Sequence, residues 1–186
     1  LIRSGPFAPR DGKMVTHARF KYDAETTIAV FHGFADTLDR TTPVMPQEFA
    51  TATMTYSGSS IGISYDTDGT TDDFRAAMGV GSAAVSDSGN GTRANATLTA
   101  DRWFESQVVV NEDGSAEVWF GDLGHPMSDA AAGNKLRLIK RFSTGTLLTV
   151  TTLFFAVIMV ETRTGAASTI EIDYFGGEAG RDWRFS

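Results

Sequence analysis

The chain of 186 residues contains no cysteine, which excludes disulfide bonds and thiolate metal ligands. Positive charge is also scarce, because 16 Lys and Arg against 23 Asp and Glu give a net charge of −7. A protein that binds a phosphate backbone depends on clustered positive charge. The composition therefore predicts that nucleic acid is not a partner.

Long apolar runs are missing as well. The densest one, residues 153–160, has eight apolar residues, whereas a membrane-spanning helix needs about 20. The first ten residues lack the extended apolar segment of a signal peptide. We therefore expect no membrane partner.

No segment has a helical periodicity long enough to predict a helix. The chain instead contains a series of short segments with strand patterns. Residues 153–160 are rich in β-branched and aromatic side chains, which is typical of a strand buried on both faces. Residues 170–175 alternate between apolar and polar, which is typical of a half-exposed strand. Small residues at 164–168 join the two segments, and this predicts a two-strand unit with one central strand and one strand nearer the surface.

Further strands are predicted from alternation and from the turn residues between the segments. Residues 103–110 and 115–120 form the clearest hairpin, with Gly114 at the turn position that needs a left-handed backbone. Gly62 indicates a bulge or close packing, and His32 is predicted to be a hydrogen-bonded histidine in the core or at its rim. The remaining predicted strands are residues 14–22, 26–34, 49–56, 61–65, 74–80 and 136–142.

These patterns predict an all-β fold, a two-sheet antiparallel β-sandwich of one domain at residues 13–180. Residues 1–12 are expected to form an extended N-terminal arm, and residues 181–186 an aromatic C-terminal tail. Arm and tail are rich in apolar residues, and Trp with Arg is favoured at interface hot spots. The arm is expected either to pack on another element or subunit or to be a disordered end. The tail is expected either to dock to a neighbouring chain or to fold back on its own domain. The interface candidates are Ile2, Phe7, Trp183, Arg184 and Phe185.

One acidic segment is a weak calcium candidate, because carboxylate oxygens at high density can hold Ca²⁺. It contains Asp66, Asp68, Asp72 and Asp73. The spacing lacks the EF-hand pattern, so a solvated acidic turn is the alternative. The three histidines, His17, His32 and His125, share no metal-binding spacing, and we expect no metal and no other cofactor.

Two further groups of residues can act on sugars. Paired carboxylates can cleave a glycosidic bond, and the available ones are Glu105, Glu117, Glu171 and Asp173. Each lies on the polar phase of the alternation in its own strand. These carboxylates are therefore also explained as ordinary solvent-exposed residues. Aromatic residues can stack on sugars or serve as buried anchors, and these are Tyr56, Tyr65, Trp103, Trp119 and Trp183.

Four segments together resemble a family of tailed-bacteriophage virion proteins that carry a concanavalin A-like jelly roll. A Gly-Phe-x-Asp strand end, a Gly-Phe-x-x-Asp-Thr strand and a closing Val-Asp-Tyr strand recur in that family. In this chain Ile63 stands for the usual aromatic residue, and Ile-Asp-Tyr stands for Val-Asp-Tyr. The resembling segments are residues 28–36, 61–67, 103–120 and 154–175.

The resemblance implies a structural subunit of a virion, a capsid decoration or head-fibre protein on the capsid exterior. Its partners would be the major capsid protein or other virion subunits, and a homo-oligomer is expected. A surface glycan is a further expected ligand. The alternative is a lectin-like carbohydrate-binding module that uses aromatic residues near the loops at 43–46 and 121–134.

The resemblance also places the expected fold beside laminarinase-type glycosidases, so a glycoside hydrolase is the third hypothesis. Their motif is Glu-x-Asp-x-x-Glu, which Glu171 and Asp173 begin, but Gly176 occupies the position of the final acid. The chain therefore lacks the acid/base residue that retaining hydrolysis by this route requires. We therefore predict that the protein is not an enzyme and has no catalytic residues.

Overall fold

A computed structural model describes residues 2–22, 27–38, 41, 43–50, 53–69, 72–84, 90–97, 99–124, 136–163 and 169–180. A short 3₁₀ helix, Pro9–Asp11, follows the first strand. The strands in this part of the chain are β1 (Ile2–Phe7), β2 (Met14–Tyr22), β3 (Ile28–Ala35), β4 (Gln47–Ala50), β5 (Thr53–Tyr56), β6 (Ser60–Asp66), β7 (Arg75–Val80), β8 (Ala83–Ala84), β9 (Thr92–Arg93), β10 (Trp103–Val110), β11 (Ala116–Gly124), β12 (Arg137–Phe142), β13 (Phe154–Thr162) and β14 (Ile170–Ala179).

The strands form two antiparallel sheets that enclose one core, together with a small hairpin. The seven-stranded sheet has the order β1-β13-β3-β6-β7-β8, and β9 also pairs with β7. The five-stranded sheet has the order β12-β11-β10-β2-β14, and β4 pairs with β5 alone. The predicted all-β, two-sheet antiparallel sandwich is confirmed. No helix among the described residues is long and apolar enough to cross a membrane.

The seven-stranded sheet is buried on both faces along β3. Val30 and Phe34 point into the main core between the sheets. Phe31, on the other face, packs in a second apolar cluster with Met45 and Val157. Met45, which precedes β4, therefore covers part of the outer face of this sheet. Burial of apolar surface of this kind stabilises a fold by roughly 25 cal/mol per Å².

The five-stranded sheet has one buried face and one open face. Along β2, the residues alternate strictly between buried and partly exposed. Phe20 lies on the inner face and contacts the rings of Phe74 and Phe104. The outer face carries polar residues, and no other part of the described chain is layered over it.

The structure corrects two strand predictions. Strands β13 and β14 do not form a two-strand unit, because β13 pairs with β1 and β3 whereas β14 pairs with β2 in the other sheet. Residues 49–56 are not one strand, because β4 and β5 form a hairpin. Local alternation does not specify which sheet a strand joins, and it does not show where one strand ends and the next begins.

Two glycine predictions agree with the structure. Gly114 has a φ of 82° in the turn between β10 and β11. Gly62 lies opposite Gly33 where β3 and β6 meet. A Cβ atom on Gly62 would lie 2.4 Å from the carbonyl oxygen of His32, so this is a site of close packing.

Candidate active site on the five-stranded sheet

Three adjacent strands, β10, β2 and β14, bring polar side chains together on the open face. Gln107 and His17 are paired across β10 and β2, and Gly176 lies opposite His17 on β14. The pairing of β14 with β2 shifts between Ile172 and Tyr174. Because such an irregularity changes which way the next side chains point, it places Tyr174 on the same open face as His17.

Tyr174, His17 and Glu105 form one hydrogen-bonded cluster, defined here as the Tyr-His-Glu cluster. The Tyr174 hydroxyl donates to Glu105 Oε1 at 2.7 Å and lies 3.1 Å from His17 Nε2. His17 Nε2 lies 2.7 Å from the same carboxylate oxygen. The rings of His17 and Tyr174 meet edge to face with centroids 4.8 Å apart. One carboxylate oxygen therefore connects both ring side chains.

The cluster borders an open cleft of about 380 Å³. Its lining comes from all three strands and comprises Val15, His17, Gln107, Tyr174, Phe175, Gly176, Gly177 and Glu178. A second depression of about 360 Å³ shares Val15 and Glu178 with the cleft and continues to Lys13. The open face thus offers a groove that is longer than the cluster itself.

The environment of Tyr174 keeps its hydroxyl protonated. Partial burial raises the pKa of the phenol well above its ordinary value, and the hydrogen bond and negative charge of Glu105 raise it further. The side chain is nevertheless 38% exposed. A protonated phenol that reaches solvent can donate a hydrogen bond to a bound molecule. Its raised pKa makes it a weaker acid than an ordinary tyrosine, so it would release its proton only to a strongly basic atom, such as a leaving alkoxide oxygen.

Cationic and aromatic side chains border the cluster. The guanidinium of Arg19 lies 5.0 Å from the centre of the Trp103 ring and forms an ion pair with Asp173 at 3.2 Å. Lys21 lies 5.5 Å from the same ring. Trp119 is paired with Gln107 from the neighbouring strand β11. These side chains give the open face both apolar ring surface and hydrogen-bond donors.

A buried polar network lies on the core side of the same three strands. The His32 imidazole contacts Ser106 Oγ through Nδ1 and Thr16 Oγ1 through Nε2 at 3.2 Å. The Thr16 hydroxyl donates to the carbonyl of Gly176 at 2.9 Å. Burial, followed by the nearby charge of His17, lowers the pKa of His32 to about 3. His32 is a hydrogen-bonded core histidine, as predicted.

Three of the four aspartates of the calcium candidate lie against arginine side chains. Asp66 binds Arg163 Nη2 at 2.5 Å, and Asp73 binds Arg93 Nε at 2.7 Å. Asp68 lies 3.6 Å from Arg163, and Asp72 is exposed. Within the described ranges, no group of three carboxylate or histidine side chains is arranged to hold a metal ion.

Of the interface candidates, the structure describes Ile2 and Phe7. Ile2 is paired with Ile158 in the first strand, and Phe7 meets Phe34 edge to face with centroids 6.4 Å apart. The segment predicted as an extended arm therefore lies along β13 as an edge strand. Trp183, Arg184 and Phe185 lie outside the described residues, and so does His125.

The carboxylates and aromatic residues considered for sugar chemistry are dispersed. Glu117 pairs with Arg141, Glu171 with Lys21 and Asp173 with Arg19. Tyr56 and Tyr65 are buried. Of the four candidate carboxylates, only Glu105 joins the Tyr-His-Glu cluster.

Sequence reasoning missed His17, Gln107 and Tyr174 as a group. His17 and Gln107 lie on the polar phase of their strands, which was visible in the alternation. The alternation of residues 170–175 instead placed Tyr174 on the apolar side, and only the register shift in β14 turns it to the open face. The convergence of the three residues depends on the register of β2 against β10 and β14, and these strands are far apart in the sequence.

No protein-family model matches the chain. No curated protein matches it in sequence. Among solved structures, a protein of unknown function from Shewanella oneidensis has a TM-score of 0.49 at 13% identity. The match covers 92% of this chain and 59% of the Shewanella protein. Two structures of a family 7 alginate lyase have TM-scores of 0.39 at 13% identity. Each match covers 95% of this chain, and the two cover 64% and 66% of the lyase chains. The chain thus spans about three fifths of the first structures that it matches.

This chain and the matched alginate lyase structures share the jelly-roll sandwich fold. The match overturns the prediction that the protein is not an enzyme. The matched structures include alginate lyases, which are enzymes. The prediction was wrong because it depended on one broken glycosidase motif, and that motif says nothing about residues that meet from different strands. Nothing in the comparisons indicates a virion, a capsid or a bacteriophage.

Proposed function

We propose that the protein cleaves a polysaccharide by β-elimination, with the Tyr-His-Glu cluster as its acid/base centre. The three-way contact of Tyr174, His17 and Glu105 in an open cleft is the observation that carries the proposal. A proton donor and a proton acceptor are held within hydrogen-bond distance of each other. Proton transfer is the chemistry for which such a pair is suited.

The reaction requires a uronic acid, because the carboxyl group makes the proton on the neighbouring C5 removable. The Glu105 carboxylate takes the C5 proton, and the electrons of that C–H bond form the C4=C5 double bond. The bond from C4 to the glycosidic oxygen then breaks, and Tyr174 gives its proton to the leaving oxygen. The hydrogen bond between Glu105 and Tyr174 returns the proton to the phenol and completes the cycle.

The other side chains of the cleft have supporting roles. His17 donates from Nε2 to Glu105 and orients the carboxylate. Gln107 lies in the cleft with an amide that can donate to the uronate carboxyl group. Arg19 adds positive charge near the same face and, with Trp103, offers a surface on which a sugar ring can stack.

Elimination fits the cluster better than hydrolysis does. Hydrolysis of a glycosidic bond uses two carboxyl groups about 5–10 Å apart on opposite sides of the bond. The cluster contains one carboxylate, and the donor and acceptor lie next to each other. An adjacent donor and acceptor can serve a proton and a leaving oxygen on the same side of one sugar ring.

The decisive experiment is an incubation with alginate, polygalacturonate and a neutral β-glucan. We expect ultraviolet absorbance from the unsaturated product with a uronate polymer and none with the glucan. Tyr174→Phe and Glu105→Gln remove the donor and the acceptor, and each is expected to lower the rate by at least about a hundredfold. Tyr22→Phe and Glu112→Gln are matched controls, because Tyr22 lies in the core and Glu112 in the hairpin turn.

The outcomes separate cleavage from binding. Retained cleavage in a folded Tyr174→Phe variant would contradict the acid role. Binding of a polymer without an unsaturated product would instead identify a lectin-like module, for which Trp103 and Trp119 on the open face supply the ring surface. Glucan hydrolysis that depends on Glu105 would favour a glycoside hydrolase.

A further inference from the structure

We propose that His32 is a positioning residue, which holds the three strands of the cleft in register from the core side. This inference rests on the proposed function for its kinetic test, and it has a second test that does not need a substrate. His32 belongs to β3 of the seven-stranded sheet. It therefore reaches across the core to the sheet that carries the cleft.

The hydrogen-bond pattern fixes the protonation of the imidazole. The Thr16 hydroxyl donates its proton to the Gly176 carbonyl, so it accepts from His32 Nε2. The ring is neutral at ordinary pH because burial lowers the pKa of His32. Its Nδ1 therefore carries no proton and accepts from the Ser106 hydroxyl. Each donor in this network has a definite acceptor.

Each partner of His32 is next to a group of the cleft. Thr16 precedes His17 on β2, and Ser106 separates Glu105 from Gln107 on β10. Gly176 lines the cleft on β14. Because side chains alternate along a strand, a partner that is fixed on the core side fixes the cleft residue beside it.

The side chains of the network are fully buried. Thr16, His32 and Ser106 have no exposed surface. The ring of Phe175 lies edge to face against His32 with centroids 6.1 Å apart. An unpaired hydroxyl in such surroundings is costly, so the strands are expected to shift if the imidazole is replaced by an apolar group.

Three substitutions test this role. His32→Leu removes both hydrogen bonds, whereas His32→Gln keeps an amide donor for Thr16. Phe34→Leu is the matched control, because Phe34 lies on the same face of β3 in the same core and its side chain has no polar atom that could hydrogen-bond to the network. All three are compared well below their unfolding temperatures, so loss of fold does not mask the result.

The kinetic test uses the uronate polymer that the wild-type protein cleaves. We expect His32→Leu to lower kcat on the order of a hundredfold, since a small misplacement of a catalytic group has an effect of this size. KM should change less than kcat, because every side chain that lines the cleft is retained. His32→Gln should recover most of kcat, and Phe34→Leu should retain it. Equal kcat in His32→Leu and Phe34→Leu would overturn the proposal.

The second test measures the cluster without substrate. Nuclear Overhauser effects between protons of the His17 and Tyr174 rings report their edge-to-face packing. We expect these effects to weaken in His32→Leu and to persist in His32→Gln and Phe34→Leu. Unchanged ring packing in His32→Leu would overturn the positioning role, whatever reaction the protein catalyses. If the wild-type protein cleaves no polymer but the ring packing weakens in His32→Leu as expected, only the proposed function is refuted.

Discussion

Thr16 and His17 are consecutive residues whose side chains lie on opposite faces of the five-stranded sheet. Thr16 is in the core and contacts His32 at 3.2 Å. His17 is in the cleft and contacts Glu105 at 2.7 Å. The alternation of a single strand thus links the interior of the sandwich to its open face.

The buried imidazole makes stability depend on pH. Burial lowers the pKa of His32 from 6.5 to about 3, so between these values only the unfolded chain binds this proton. The contribution is fully present above about pH 6.5 and is lost as the pH falls towards 3. The free energy of unfolding should therefore fall by about 1.4 kcal/mol per pH unit for this group.

Denaturant unfolding of His32→Gln from pH 7 to pH 5 checks this expectation. The variant lacks the titrating group, so its stability should change less with pH than that of the wild-type protein. Phe34→Leu keeps the imidazole and should show the wild-type slope at a lower stability. Parallel slopes in all three proteins would contradict the buried neutral state.

Arg163 is the centre of an ion-pair cluster at the end of β13. Burial alone would lower its pKa, but hydrogen bonds and charges from Asp66, with Glu48 and Glu161, raise it above the ordinary value. The Asp66 side chain is 1% exposed and that of Arg163 is 15% exposed. Arg163→Met leaves a buried carboxylate without its cation, and we expect a loss of about 3–5 kcal/mol.

A comparison of ion pairs checks the origin of this loss. Arg141→Met removes a pair with Glu117 in which the arginine side chain is 59% exposed, and it should cost less than about 1 kcal/mol. Adding Asp66→Asn to Arg163→Met should recover part of the stability, because the unpaired charge is then absent. No recovery would show that packing of the arginine, and not its charge, is what matters.

Strand existence could be predicted from the sequence because alternation is a local property. The central strand β13 and the turn at Gly114 followed from a few neighbouring side chains, although Leu153, at the start of the predicted segment, precedes β13 and is 52% exposed. The partners of β13 and β14 did not, since pairing depends on contacts between segments that are distant in the chain. The Tyr-His-Glu cluster joins residues 17, 105 and 174 across two such pairings, so composition and spacing contain no trace of it.

The pair Gly33 and Gly62 should not tolerate a side chain. A Cβ atom on Gly33 would lie 2.1 Å from the carbonyl oxygen of Ile61, and one on Gly62 would lie 2.7 Å from the ring of Phe31. Backbone atoms in the middle of a sheet cannot move aside easily. We expect Gly62→Ala to lose about 1–3 kcal/mol in denaturant unfolding, with Gly176→Ala as a control that loses less than half of this. Equal losses would show that an effect other than steric overlap is measured.

Gly176 offers the sharpest test of where a substrate binds. A Cβ atom there would meet no described atom within 4 Å, and Gly176 lines the cleft opposite His17. Gly176→Val is therefore expected to fold normally, because a β-branched residue suits a strand and the carbonyl that accepts from Thr16 is retained.

The added side chain occupies part of a cleft of about 380 Å³. A sugar ring that lies against His17 and Tyr174 would collide with it, so KM should rise by roughly tenfold or more. KM is measured by steady-state kinetics with the polymer that the protein cleaves. Gly81→Val is not a suitable control, because Gly81 has a φ of 59° and a β-branched residue would be strained there. Thr55→Val is preferable, since Thr55 is an exposed strand residue outside the five-stranded sheet. Unchanged KM in a folded Gly176→Val variant would place the substrate elsewhere on the molecule.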